Sequence, residues 1–89
     1  MINLDVTEKF RREHRKFISN SADRKHAVAL ALRTLRENPR NPGLHLEKFQ
    51  GSKTWTIRVD RGNRIFFSWT SETSALLIDI GPHDKYRRY

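Results

Sequence analysis

The residues best suited to chemistry lie on both sides of a short polar turn and in the tail of the chain. Arg58 and Arg64 flank the turn, and the tail carries His83, Tyr86 and Tyr89. Fixed guanidinium groups stabilise the negative charge that develops on a phosphate in transfer. Histidine, with an unperturbed pKa of about 6.5, can accept or give a proton near neutral pH. This set suits RNA cleavage by the RNA's own 2′-hydroxyl, which requires no metal.

The charge of the chain favours a polyanionic partner. Eighteen Lys and Arg face ten Asp and Glu in 89 residues, which gives a formal net charge of +8. So basic a small domain is typical of proteins that contact nucleic acid. Lys85, Arg87 and Arg88 can bind backbone phosphate. Splayed bases can stack on Phe66 or on a tail tyrosine.

The composition also excludes several classes of protein. Without cysteine the chain has no disulfide and no thiolate metal site, and its four histidines lack the spacing of zinc ligands. The N-terminus becomes charged too soon for a signal peptide, and no apolar run approaches the roughly 20 residues of a membrane span. We therefore expect one cytoplasmic domain over residues 1–89, with no cofactor, no metal and no membrane partner.

A strand and two helices are predicted in the first part of the chain. Residues 2–6 alternate between apolar and polar, as in a short strand. Thr7 and Ser21 can each cap a helix. Apolar residues at helical spacing follow both caps, namely Phe10, His14, Phe17 and Ile18, then Val28, Ala31, Leu32 and Leu35. Asn38 ends the second helix, because a residue before proline avoids the helical region.

The remainder of the chain reads as sheet. Residues 44–49 suggest a short extended piece, and strands are predicted up to residue 60, over 64–70 and over 75–80. Gly81 and Pro82 should end the last strand. The predicted class is α+β, a small antiparallel sheet with an N-terminal helical hairpin packed on one face, in the order β-α-α-β-β-β.

The turn at Gly62 determines which side chains share a face of the sheet. A two-residue loop would place Arg64 among apolar residues. A three-residue loop, residues 61–63, pairs Asp60 with Arg64 and Arg58 with Phe66. One face is then wholly apolar, with Trp55, Ile57, Val59, Ile65, Phe67 and Trp69. Since a slipped register would expose that whole set, we expect the three-residue loop.

The opposite face should be open and should carry the chemistry. Its predicted members are Thr56, Arg58, Asp60, Arg64, Phe66 and Ser68. In the last strand Leu76, Ile78 and Ile80 are predicted to face the core. Asp79 should then point to the open face, with His83 just beyond it.

Four motifs, in their order and spacing, resemble the RelE/ParE toxin superfamily over essentially the whole chain. They are LEKFQG at 46–51, WTIRV at 55–59, GNRI at 62–65, and IGPHD at 80–84 followed by a tyrosine. The resemblance implies two N-terminal helices on a small antiparallel sheet. It also implies an antitoxin partner encoded beside the toxin.

The RNA-cleaving branch of the superfamily is the one that the chain most resembles. This implies an endoribonuclease, an mRNA interferase that inhibits translation by cutting messenger RNA in the ribosomal A site, with contacts to ribosomal RNA. Arg58, Arg64 and His83 match the catalytic positions of that branch, and Tyr86 or Tyr89 matches its C-terminal aromatic residue. Many relatives have the aromatic residue where this chain has Arg87.

One lysine of the pattern is missing. Thr56 stands where RelE has a second lysine, so Lys48 or Lys53 is the candidate for that charge. Lys53 precedes its strand, so parity does not place it.

Two other functions compete with the nuclease. One is a ParE-like inhibitor of DNA gyrase, and the other is an inactive toxin-like module that binds RNA or an antitoxin. A gyrase inhibitor needs no acid–base pair. His83 and a tyrosine close to Arg58 and Arg64 would therefore favour the nuclease. The sequence leaves open which residue is the general base and which the general acid.

Overall fold

The structure is a computed structural model that describes residues 1–88, with the side chains of residues 1–85. Its strands are β1 (Asn3–Val6), β2 (Glu47–Lys48), β3 (Trp55–Arg58), β4 (Asn63–Ser71) and β5 (Ser74–Pro82). Its helices are α1 (Glu8–Ile18) and α2 (Ala22–Glu37), with short 3-10 helices at Pro42–Leu44 and His83–Arg88.

The five strands form one sheet in the order β1-β5-β4-β3-β2. β1 runs parallel to β5, and the other neighbours are antiparallel. The predicted α+β class, with two helices before a mainly antiparallel sheet, is confirmed.

Both helices begin at the predicted caps. Thr7 Oγ1 accepts a hydrogen bond from the Phe10 amide at 3.0 Å, and Ser21 Oγ accepts one from the Arg24 amide at 3.2 Å. Such bonds satisfy amides that have no partner within the helix. α2 ends at Glu37, just before Asn38, as predicted. No helix in residues 1–88 has the length and apolar character needed to cross a membrane.

The core lies between the helices and the face of the sheet predicted to be apolar. Ile57, Ile65 and Phe67 are buried in one cluster with helix residues such as Phe10 and Leu35. Trp55, Val59 and Trp69 pack against that cluster as partly buried side chains. Each fully buried side chain of this size contributes about 1.5–3 kcal/mol to folding. The apolar face of β3 and β4 is therefore occupied by the core, and only the opposite face of these strands can carry a functional site.

The loop between β3 and β4 differs from the prediction. It spans residues 59–62, and Arg58 pairs with Arg64 rather than with Phe66. Asp60 leaves the strand because its Oδ1 accepts hydrogen bonds from the Gly62 amide at 3.0 Å and from Asn63 Nδ2 at 2.9 Å. The register is shifted by two residues, and a shift of two preserves the faces. The prediction of which side chains share a face was therefore right, although the pairing was wrong. The face predicted to be open is open only in part, because Thr56 and Phe66 on it are 0% exposed.

A β-bulge corrects the prediction for β5. Phe66 pairs with Asp79 but Phe67 pairs with Leu77, so Ile78 is an extra residue. An extra residue reverses the alternation of side chains beyond it. Ala75 and Leu77 are consequently buried, whereas Leu76 and Ile78, predicted to face the core, are only half-buried. β5 also continues to Pro82 instead of ending at Ile80.

Candidate functional site

The ends of β3 and β4 bring two guanidinium groups together. Arg58 and Arg64 are directly paired across the two strands. Like charges at paired positions destabilise a sheet, so acceptors are needed nearby. Arg64 Nη1 lies 2.9 Å from the carbonyl oxygen of His45, 3.5 Å from Thr56 Oγ1 and 3.8 Å from Glu47 Oε2. The Arg64 side chain, 15% exposed, is thereby held in place.

His45 links the two arginines. Its carbonyl accepts from Arg64, and its Nε2 lies 3.1 Å from Nη1 of Arg58. Because a guanidinium only donates hydrogen bonds, Nε2 can accept from Arg58 only in the tautomer that carries its proton on Nδ1. His45 ends the 3-10 helix Pro42–Leu44 with φ 47° and ψ 48°. This left-handed conformation is unfavourable for a residue other than glycine.

Aromatic rings lie beside this cluster. Phe49 is half-buried, and its ring centroid is 6.0 Å from that of Phe66 and 6.5 Å from that of His83, edge-on to the latter. His83 is exposed, and its amide donates to the Gly62 carbonyl at 3.2 Å. Phe66 itself is 0% exposed. The stacking role predicted for Phe66 is therefore wrong, since a base has no surface there.

Lys85 and Asp79 differ from their predicted settings. Lys85 was expected to bind phosphate, but its ammonium contacts Glu13 at 3.1 Å, Asp79 at 3.2 Å and the Ile80 carbonyl at 3.2 Å. Asp79 was expected on an open face and is fully buried. The hydrogen bond from Lys85 lowers the pKa of Glu13 below its usual value. These residues form an internal charge network.

The two candidate replacements for the missing lysine are both exposed. Lys48 follows Glu47 in β2, and neighbouring residues of a strand point to opposite faces. Since Glu47 is directed to Arg64, alternation places Lys48 on the other face. Lys53 lies in the loop before β3, where its carbonyl accepts from Ser68 Oγ at 3.1 Å.

Several predicted residues lie outside the part of the structure that is described. Tyr89 is one of them, and so are the side chains of Tyr86, Arg87 and Arg88, whose backbone belongs to the C-terminal 3-10 helix. For the described residues, no group of three or more His, Cys, Asp and Glu side chains is placed to hold a metal ion.

Sequence reasoning missed three residues of this cluster. His45 lies in a loop, where strand parity gives no direction, and nothing in the sequence marks its ring as a partner of Arg58. Glu47 and Phe49 belong to the LEKFQG motif at 46–51. That motif supported the resemblance, and it was the only available signal that these two side chains take part.

Comparison with known proteins identifies the fold. No protein-family model and no curated protein sequence matches the chain. Among solved structures, a YoeB/ParE toxin from Agrobacterium tumefaciens has a TM-score of 0.76 at 15% identity, over 92% of this chain and 99% of that one. YafQ from E. coli has a TM-score of 0.77 at 10% identity, over 97% of this chain and 98% of that one.

A further match is the YoeB–YefM toxin–antitoxin complex of Staphylococcus aureus, with a TM-score of 0.73 at 12% identity over 93% of this chain and 98% of the matched chain. These structural neighbours are toxins of the RelE/ParE superfamily. The chain has their fold.

Proposed function

We propose that this chain is the toxin of a type II toxin–antitoxin system and that it cleaves messenger RNA on the ribosome through the RNA 2′-hydroxyl. The observation that carries the proposal is the pairing of Arg58 with Arg64, with His45 in contact with both. The toxin fold and the net charge of +8 support it. The site of action would be the ribosomal A site, in the cytoplasm.

The arginine pair is suited to a phosphodiester. Arg58 contacts a nitrogen of the His45 ring at 3.1 Å. Glu47, the carboxylate near Arg64, is about half exposed and lies 3.8 Å away. A phosphate between the guanidinium groups would form charge-assisted hydrogen bonds with both and would relieve their repulsion. Because the charge on that phosphate increases during transfer, the same contacts strengthen in the transition state.

His45 is our candidate for the general base. When a phosphate takes the guanidinium of Arg58, the lone pair on Nε2 of His45 becomes available to the 2′-hydroxyl. The 2′-oxygen then loses its proton to Nε2 and bonds to phosphorus, while the bond from phosphorus to the 5′-oxygen breaks. The 5′-oxygen takes a proton from an acid, for which His83 and a tail tyrosine are the candidates. The products carry a 2′,3′-cyclic phosphate and a 5′-hydroxyl.

An aromatic group lies beside the arginines and would contribute to binding a nucleotide. Phe49 is half-buried, and its ring lies 6.0 Å from that of Phe66 and 6.5 Å from that of His83, between centroids. Stacking of one base on an aromatic side chain is worth about 1–3 kcal/mol. A base stacked on an aromatic side chain of this group would add to the binding of a nucleotide at the arginine pair.

An antitoxin is the proposed protein partner. YoeB is found with YefM, and YafQ is found with DinJ, in solved complexes. For this chain we propose an acidic or amphipathic antitoxin that covers the sheet face carrying Arg58 and Arg64 or packs along the helices. A net charge of +8 attracts an acidic segment over a long range.

Mapping of RNA ends tests the proposal. The protein is added to a translating extract and to the same messenger without ribosomes, and the new 5′ ends are located. We expect breaks inside codons only when ribosomes are present. Intact messenger in both samples would refute the nuclease, and an assay of gyrase supercoiling on the same protein would then test the alternative of a gyrase inhibitor.

A further inference from the structure

The partly buried ammonium group of Lys85 connects the C-terminal 3-10 helix to helix α1 and strand β5. Nζ of Lys85 lies 3.1 Å from Glu13 Oε1, 3.2 Å from Asp79 Oδ1 and 3.2 Å from the Ile80 carbonyl oxygen. An ammonium has three protons, so three acceptors use them all. The side chain of Lys85 is 17% exposed and that of Asp79 is 0% exposed. Water therefore screens these contacts much less than it screens a surface ion pair.

The network joins three elements. Asp79 in β5 also accepts from the Ile80 amide at 2.8 Å and pairs with Lys9 of α1 at 3.4 Å. Glu13 is likewise in α1, and the hydrogen bond from Lys85 is the main cause of its lowered pKa. We call Lys9, Glu13, Asp79 and Lys85 the Lys85 clamp.

Gly81 gives the Lys85 side chain its path. A Cβ at residue 81 would lie 2.8 Å from Cε and 2.9 Å from Cδ of Lys85, which is closer than real Cβ atoms come. The lysine therefore lies directly against the backbone at Gly81. Gly81 is also the residue paired with Arg64 in β4. The clamp consequently fixes the tail at the strand position next to the arginine pair.

We propose that Lys85 is a positioning residue, which sets His83 and the segment after it against the arginine pair. His83 lies two residues before Lys85, and its amide is bonded to the Gly62 carbonyl at 3.2 Å. The segment is thus held by the His83 amide and by the Lys85 ammonium, and this keeps the imidazole of His83 close to Phe49. This role rests on the proposed function, and it replaces the phosphate contact predicted for Lys85.

The test compares two lysines that contact the same carboxylate. Lys85→Met removes the clamp. Lys16→Met is the matched control, because Lys16 pairs with Glu13 at 3.5 Å but is exposed. Hydrogen exchange of the amides of residues 83–88 reports how firmly the segment is held. We expect Lys85→Met to speed this exchange and to slow single-turnover cleavage about 10- to 100-fold at saturating ribosomes. Ribosome affinity should stay unchanged, and Lys16→Met should change neither rate.

A second variant protects the test against misfolding. Lys85→Met withdraws a partner from the buried Asp79, which is a destabilising change. Glu13→Gln leaves the contact of Lys85 with Asp79 in place and should produce smaller shifts in the same directions. Unchanged exchange in the folded variants would overturn the proposal, and so would faster exchange with wild-type cleavage. If the wild-type protein does not cleave, the proposed function fails, and exchange still decides whether Lys85 holds the tail.

Discussion

Arg58 and Arg64 occupy directly paired positions at the ends of β3 and β4, and each donates to a different atom of His45. Two like charges at directly opposite positions of a sheet lower its stability. Proteins tolerate such a loss mainly at functional sites, and a pair of cations suits a site that binds an anion. The relation makes the arginine pair and His45 one unit, so each of the three can be tested separately.

Replacement of Arg64 should remove activity without loss of the fold. We expect Arg64→Ala to slow cleavage about 10²- to 10³-fold, as for the loss of one donor that stabilises a transition state. Arrest of growth on induction and a thermal melt are the two measurements. Arg61→Ala is the control, because Arg61 is an exposed arginine in the adjacent loop. Full toxicity in folded Arg64→Ala protein would remove this arginine from the site.

A substitution at His45 should lower activity without lowering the stability of the fold. Glycine tolerates the left-handed backbone, so His45→Gly should keep the free energy of unfolding within about 1 kcal/mol of the wild-type value. Cleavage should slow about 10²- to 10⁴-fold if the imidazole transfers the proton. Asn20→Gly is the matched control, because Asn20 has a similar φ of 58° between the helices. Equal cleavage by His45→Gly and wild type would show that His45 is not the base.

His83 is tested by a substitution that retains hydrogen bonding but does not titrate. His83→Gln should slow single-turnover cleavage of ribosome-bound messenger about 10²- to 10⁴-fold, whereas ribosome binding should change little. His26→Gln, at an exposed position of α2, serves as the comparison. A native rate in His83→Gln would assign the acid role to a tail tyrosine.

The stability of the protein should decrease in mild acid because of His14. Burial lowers the pKa of His14 below its usual 6.5, and its ring stacks on Phe10 with centroids 5.4 Å apart. The unfolded chain therefore binds the proton more readily than the folded chain. The contribution of His14 to the free energy of unfolding is therefore complete above its unfolded pKa of 6.5. It is lost as the pH falls from there through the lowered pKa of the folded state.

Denaturant melts between about pH 7 and pH 5 measure this effect, with a slope of at most about 1.4 kcal/mol per pH unit from one proton. His14→Phe keeps the stacking and should flatten the slope. An equal slope in both proteins would assign the pH dependence to another group.

The elements, and the side chains that share each face of the sheet, could be predicted from the sequence. The alternation of side chains along a strand is unchanged when the predicted register is wrong by two residues. Both caps and the apolar set on β3 and β4 were right, even though Arg58 pairs with Arg64 and not with Phe66. The bulge at Ile78 was not predictable, since no residue type there marks an extra position. It left Leu76 and Ile78, which were expected in the core, only half-buried.

The candidate site was predictable only where strands carry it. Arg58 and Arg64 followed from alternation along two neighbouring strands. The role of His45 did not follow from the sequence. This residue lies in a loop, where its left-handed backbone directs both its carbonyl and its ring to the arginines, and a loop has no periodic pattern from which that could be predicted. Lys85 was predicted to bind RNA because of its charge. Its acceptors are in fact Glu13, which is distant in the sequence, and Asp79 and Ile80, which are near in the sequence but follow no pattern that marks them as partners of a lysine.

The most direct measurement of the central claim is cleavage of a ribosome-bound messenger with a single 2′-deoxynucleotide placed in turn at each position of the A-site codon. If the 2′-hydroxyl is the nucleophile, the deoxy substitution at one position abolishes cleavage at the adjacent phosphate, and the all-ribose messenger yields a 2′,3′-cyclic phosphate end. Cleavage at the wild-type rate with every deoxy messenger, or no cleavage of the all-ribose messenger, would contradict the account.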